Sequence, residues 1–221
     1  MRVLDHGVVE LQEFCASDKA VSTSARVITG DAPWRGEKDE KLIKFMLRNH
    51  HTSPFEHGYL RFYVEAPLFV IRQWQRHRTW SYNEQSGRYE NEKPVFYVPD
   101  RARLQDAKNK QNSIFADDNI LDFDTADIVQ DSSGKAYSDY LELIDWGIAR
   151  EQARIILPQN VYHRMIASVD PHNLMHFLFL RMHKDAQYEI RQYAEAIYQL
   201  WVDVMPVTAD AWYQLNKERF E

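Results

Sequence analysis

The sequence predicts an α+β fold, with strand pairs early in the chain and a largely helical C-terminal half. Three patterns carry that reading. Tyr59 to Glu65 alternates as a half-buried strand does, with Leu60, Phe62 and Val64 facing inward. Residues from about Asp39 to Asn49 place Leu42, Ile43, Met46 and Leu47 on one helical face. Beyond Gly134 the chain reads as nearly all helix: Tyr137, Leu141, Ile144 and Ile148 mark one element, and Ile190, Ala194, Ile197 and Trp201 mark the core face of the last.

The remaining elements follow from local signals. Val3–Leu4 and Val8–Leu11 flank a turn at Asp5-His6-Gly7 and suggest a short strand pair. Ser17 to Ser24 has the small residues of a helix start, and Asp31 to Gly36 reads as a loop. His50 to Gly58 is a polar loop closed by Pro54 and Gly58. Ala66-Pro67 is expected to open a helix through Gln75, since proline is tolerated at a first helical position. Val95 to Val98 reads as a strand ended by Pro99. Residues 100 to 134 are the least patterned part, with Lys108 to Asn112 and Asp117 to Asp131 read as mobile surface. Arg150 to Leu157 is a short helix stopped by Pro158. Asp170-Pro171 caps a helix through Met182, and Asp185 is expected to cap the last long one.

Composition narrows the function. At 221 residues, 44% of them hydrophobic, the chain is expected to form one domain, 1–221, with a core of its own. Lys and Arg number 27 against 33 Asp and Glu, a formal charge of −6. That balance argues against a nucleic-acid binder, which usually carries a basic excess. The lone Cys15 excludes an intrachain disulfide and suits a reducing compartment. No apolar run is long enough to span a membrane, and the first residues do not resemble a signal peptide. The expectation is a cytoplasmic protein free of membrane.

Against this acidic background, the run Arg76 to Tyr89 stands out. It gathers three arginines, His77, Ser81, Asn83, Glu84 and Ser86 among few aliphatic residues. Arginine grips phosphate with a bidentate fork, and Ser, Asn and backbone N–H add neutral donors. The run therefore reads as a wall for phosphates and bases, or else as a solvated charged loop. Arg72, Arg76, Arg78 and Arg88 would form its focused anion site. Arg154 and Arg181 lie in otherwise apolar helical stretches. Burial of such charges requires either an ion pair, with Glu151 or Glu189 as candidates, or an anionic ligand. His172, His176 and His183 share roughly one helical face, but no His-Glu-x-x-His motif accompanies them and no metal is expected. Ser86 lacks the Gly-x-Ser-x-Gly elbow of a nucleophile, and only His77 lies near it in sequence.

Arg76-His77-Arg78-x-x-Ser81-x-Asn83-Glu84-x-Ser86-x-Arg88-Tyr89 resembles the signature of the flavin-dependent thymidylate synthases, present without a gap. The likeness extends to His51 through His57, to Ala66 through Trp74, to Ala153 through Pro158, and to Leu180-Arg181 with Ala186 through Ile190. Residues 100 to 133 have no clear counterpart. The resemblance implies an α+β fold with an antiparallel sheet and long helices. It also implies reductive methylation of dUMP to dTMP, with methylenetetrahydrofolate supplying the carbon and NADPH the reducing equivalents through FAD. It further implies a homotetramer with active sites shared between subunits.

Carried over by position, Ser53, Arg76, His77, Arg78, Glu84, Asp170, His172 and His176 would contact FAD. Gln73, Trp74, Gln75, Arg76, Glu84, Gln85, Ser86, Gly87, Arg88, Arg154 and Arg181 would contact dUMP. Arg181 would be the catalytic residue, placed at the uracil ring to stabilise negative charge on its N3–O edge. Asp170 and His172 depart from the commonest pattern, which has asparagine and arginine there; His176 stands where asparagine or histidine occurs. A nucleotide-binding relative without synthase activity is the alternative.

Overall fold

The computed structural model describes residues 1–27, 33–87, 93–116 and 119–220. In chain order the strands are β1 (Arg2–Val3), β2 (Gly7–Phe14), β3 (Leu60–Pro67), β4 (Ser81–Glu84), β5 (Arg103–Gln105), β6 (Ser113–Phe115) and β7 (Tyr162–Val169). The helices are α1 (Asp18–Ala25), α2 (Glu37–Arg48), α3 (Leu68–Trp74), α4 (Asn119–Asp145), α5 (Arg150–Ala153), α6 (Pro171–Arg181), α7 (Tyr188–Val204) and α8 (Pro206–Asn216). Five strands make one sheet in the order β1-β2-β3-β7-β4, with every pairing antiparallel; β5 and β6 form a separate hairpin. The fold is α+β, as expected.

Several elements form where the patterns place them. Leu60, Phe62 and Val64 are fully buried, so the alternation of β3 is a true inside–outside pattern. Ser17 caps α1 by accepting from the Ala20 N–H, and Asp170 caps α6 by accepting from the Asn173 N–H, with Pro171 at the first turn. Ile190, Ala194, Ile197 and Trp201 form the buried stripe of α7.

Other elements differ, each for a physical reason. The stretch beyond Gly134 is not nearly all helix: Tyr162–Val169 is a strand at the heart of the sheet. Its inward residues Met165, Ala167 and Val169 alternate with polar ones, a period of two that the neighbouring helical patterns obscure. Residues 100 to 134 are more ordered than their composition suggests, holding the β5–β6 hairpin and the first half of α4. That helix stays largely exposed, so it needs no strong apolar stripe. Val95 to Val98 contributes only one bridge, Phe96 to Val161. Pro67 ends β3 with an extended ψ of 142°, and the helix starts one residue later. Gln187, not Asp185, occupies the N-cap of α7, and Pro206 opens a further helix. Asp31 and Ala32 of the expected loop, and Asp117 and Asp118, lie outside the described residues.

The core is built around aromatic rings. Phe177 on α6 stacks on Trp74 at 5.0 Å between centroids and meets Trp80 at 5.1 Å and His77 at 5.0 Å. Helix α6 is thereby fastened to both ends of the segment joining α3 to β4. No described helix is long and apolar enough to cross a membrane.

Because Phe177 is fully buried among three rings, Phe177→Ala should destabilise the protein by about 3–5 kcal/mol through lost transfer energy and a residual cavity. A shift in the urea unfolding midpoint measures this. A loss below about 1 kcal/mol would show that the aromatic cluster closes over the gap.

Candidate functional site

The polar run between α3 and β4 does not project as a free loop. Tyr82 turns its hydroxyl back under the run, 2.9 Å from both the Trp74 and the His77 carbonyl oxygens. Trp80 is buried against Phe62 and Phe177. The alternation of buried aromatics with exposed polar residues therefore pins the run to the core at three points.

Its far end opens onto a cleft of about 590 Å³. Gln75, Glu84, Gln85, Ser86 and Gly87 line it from the run, Arg72 from α3, and Glu151, Arg154 and Ile155 from the α5 region. Gly87 permits a close approach: a Cβ there would lie 3.4 Å from Arg154 Nη1. The Glu84 carboxylate accepts from the Gln75 amide at 2.9 Å and from His163 Nδ1 at 3.0 Å. The His163 bond, acting against burial, holds the Glu84 carboxyl below its usual range.

A second group of residues gathers around Arg181 at the end of α6. This half-buried guanidinium donates from Nε to His77 Nε2 at 3.0 Å and from Nη2 to the Gln73 carbonyl at 3.2 Å. Both acceptors are neutral. Burial lowers the pKa of Arg181, yet among the described residues no carboxylate pairs with it. Glu189 is engaged elsewhere, with Arg103, Tyr97 and Gln187. The structural ion pair open to Arg181 from sequence therefore does not form. Burial first, then the Arg181 and His176 charges, pull the His77 imidazole down to about 4, so it is neutral at pH 7 and free to accept. Gln73 also donates its amide to Gln187.

Beyond His77 lies a cleft of about 430 Å³, lined by His172 and His176 together with Phe55, Phe179 and Trp212. The His176 ring is 5.9 Å from that of His77. Thr52 lines this cleft too, and Ser53 begins the adjoining short turn.

The predicted site residues thus fall into two neighbourhoods joined by the signature run. Gln75, Glu84, Gln85, Ser86, Gly87 and Arg154 share the first cleft. Gln73, His77 and Arg181 interlock, with His176 and His172 beside them. Arg76 and Arg78 are exposed; they, Arg72 and Arg154 have no carboxylate at salt-bridge distance among the described residues. Arg88 lies outside the described residues. Two positions carry a structural duty. Trp74 is fully buried, and its carbonyl oxygen accepts from the Tyr82 hydroxyl and the His77 N–H, so it serves the core and not a ligand. Both Asp170 oxygens are occupied at the start of α6, by the Asn173 N–H at 2.9 Å and its side-chain amide at 2.6 Å. His163 is the cleft residue that sequence reading missed, because it sits on the strand that was read as helix.

His77 makes stability depend on pH. Its pKa is about 4 in the folded protein against an ordinary value of 6.5, so between these the unfolded chain binds more protons and stability rises with pH. The contribution is complete above about pH 6.5 and is lost as pH falls toward about 4. His77→Gln should unfold with a shallower dependence on pH across that window, read from urea midpoints. Equal slopes in the two proteins would mean that His77 is not held neutral.

The comparisons with known proteins agree with this geometry. Residues 10–207 match the family described as thymidylate synthase complementing protein. The chain is 42% identical over 219 residues to a flavin-dependent thymidylate synthase of Thermus thermophilus, covering 99% of this chain and 79% of that one. A flavin-dependent thymidylate synthase of Kosmotoga olearia is 38% identical over 211 residues, 96% of this chain and 92% of the other. Among solved structures, the UMP/dUMP methylase PolB from Streptomyces cacaoi bound with 5-Br UMP is similar with a TM-score of 0.87 and 35% identity over 95% of each chain. The same methylase bound with 5-Br dUMP gives 0.87 and 34% over 97% of each. With Glu84 to Gly87 of the signature lining the cleft and matches running nearly end to end, the chain belongs to the flavin-dependent thymidylate synthase family.

Proposed function

We propose that this protein is an FAD-dependent thymidylate synthase that methylates dUMP to dTMP, taking its carbon from methylenetetrahydrofolate and its reducing equivalents from NADPH. The observation that carries the reading is the folding of the signature run, which lines one cleft with Gln75, Glu84, Gln85, Ser86 and Gly87 opposite Arg154. A nucleotide monophosphate needs a cation, neutral donors and close backbone approach, and Arg154, Ser86 and Gly87 supply them. The relatives described as dUMP methylases and thymidylate synthases support the same substrate.

The residues present also suit FAD. Its pyrophosphate requires donors without competing carboxylates, and Arg76 and Arg78 meet that requirement among the described residues. The second cleft sets the imidazoles of His172 and His176 beside apolar and aromatic walls, a fit for a flat polar-edged ring. When bound, FAD supplies the hydride-transfer chemistry. The protein positions the rings, and Arg181 places positive charge where the uracil ring becomes electron-rich. Because its present partners are neutral, that charge is uncompensated and available. Ser86 is assigned to binding: the described imidazole lining its cleft, His163, faces Glu84, and a serine hydroxyl is a weak nucleophile unless a base takes its proton.

The division of substrate residues between two neighbourhoods supports a homotetramer with shared active sites. The exposed Ile155, which lines the cleft, adds apolar surface for a second copy. The single free Cys15 suits a cytoplasmic setting.

The purified protein should bind FAD, bleach when NADPH is added without oxygen, and form dTMP from dUMP and methylenetetrahydrofolate. A colourless protein that binds no FAD in titration would overturn the synthase reading. Within an active preparation, Arg181→Ala should lower dTMP formation by roughly 10²–10³-fold, as loss of a donor to developing charge does, while flavin reduction by NADPH persists. Near wild-type turnover would return Arg181 to a purely structural role.

A further inference from the structure

The first cleft contains a feature that its proposed ligand makes costly. A nucleotide phosphate is an anion, and Glu84 sets a carboxylate within the cleft that would receive it. The carboxyl is only partly exposed, and it stays ionised at neutral pH. A carboxylate free to swing toward a phosphate would oppose binding.

The backbone register prevents that swing. Glu84 stands opposite Met165 in the β4–β7 pairing. His163 lies two residues from Met165 on the same strand face, so Glu84 and His163 are diagonal cross-strand neighbours. The Glu84 Oε1 atom lies 3.0 Å from His163 Nδ1, and Oε2 accepts from the Gln75 amide at 2.9 Å. A carboxylate has no proton to give, so His163 Nδ1 must carry the hydrogen. Each oxygen of Glu84 is thus tied to a different element, one to β7 and one to the end of α3.

We propose that His163 is a positioning residue for nucleotide binding: its Nδ1–H anchors Glu84 so that the carboxylate is directed away from the phosphate-binding side of the cleft. This rests on the reading of the cleft as a dUMP site. Gln75 alone would leave Glu84 pivoting about one hydrogen bond. With both anchors, Glu84 is held while Arg72 and Arg154 supply the positive charge of a cleft that Glu151 also lines.

The test compares His163→Ala and His163→Asn with the wild-type FAD-loaded protein. His163→Ala should raise the KM for dUMP roughly 10–100-fold, the span expected for one hydrogen bond to a charged group. Turnover at saturating dUMP should stay within about threefold, the signature of lost uniform binding. Asparagine, whose Nδ2 reproduces the position of the imidazole Nδ1, should bring KM most of the way back. Combining His163→Ala with Glu84→Gln should cost no more than Glu84→Gln alone, since His163 acts through Glu84. A KM within about twofold of wild type in folded His163→Ala, or additive costs in the double variant, would overturn the proposal. Carbon-13 NMR of the Glu84 carboxyl gives a readout independent of turnover: its titration should move to higher pH in His163→Ala. An unmoved titration would overturn the role of His163 whatever the substrate. A moved titration in a protein whose wild type ignores dUMP would instead overturn the dUMP reading and leave the His163–Glu84 anchor standing.

Discussion

Everything in the site hangs on the pairing of β3 with β7. The two strands run antiparallel in unbroken register from Leu60 opposite Val169 to Pro67 opposite Tyr162. Strand β3 hands the chain to α3 at Pro67, while β7 carries β4 on its other edge and hands the chain to α6 at Asp170. The signature run leaves α3 and carries β4 within it, so its start and its middle are fixed to the same strand pair. Helix α6 then brings Arg181 back to His77 near the start of that run. Residues more than 100 apart in sequence meet because two eight-residue strands are buried along one face.

Charge is distributed to match. The chain is acidic overall, yet its signature arginines face no carboxylate among the described residues. Acids elsewhere are occupied: Asp39 with Arg26, Glu189 with Arg103, Glu65 with Arg164. Those acids are therefore engaged away from the site. The contact between Arg181 and His77 follows the same logic from the other side. Nε2 can accept only while the imidazole is unprotonated, and protonation would press two cations together. Burial behind Phe177 holds the ring neutral and so keeps Arg181 in place.

Much of this was legible in the sequence, and the gaps have causes. β3 was readable because its buried residues alternate cleanly, and α6 because Asp170 and Pro171 mark its start chemically. The signature run stood out in the sequence because its residue types are poor core material. Its inner side was not: Trp80 and Tyr82 look like two more aromatics in a polar run until the fold turns both inward. β7 was missed because Pro158 and Asp170-Pro171 bound a short segment embedded in helical patterns. With it went His163, whose meaning depends on strand register and on no motif. The first half of α4 was missed, though Tyr137, Leu141 and Ile144 marked its second half, because a helix that stays exposed leaves little periodicity to detect.

Arg154 and Arg181, the two arginines proposed to meet the substrate, differ in a way that decides what each would do. Arg154 is exposed beside Gly87, where a unit charge pair at about 4 Å interacts by only about 1 kcal/mol in water. That suffices to draw in and orient a phosphate already partly neutralised by solvent and salt, and it acts equally on substrate and product. Arg181 is half-buried, held at two points by Nε and Nη2, with a lowered pKa that records the loss of water around it. At an effective dielectric near 20 the same pair interacts by about 4 kcal/mol. A charge that appears only as the ring reacts therefore gains most from Arg181, and the geometry costs nothing to assemble at that moment because His77 and Gln73 already hold it. On the proposed reading, binding thus falls to the exposed Arg154, and rate enhancement to Arg181, which the fold has desolvated and fixed in advance.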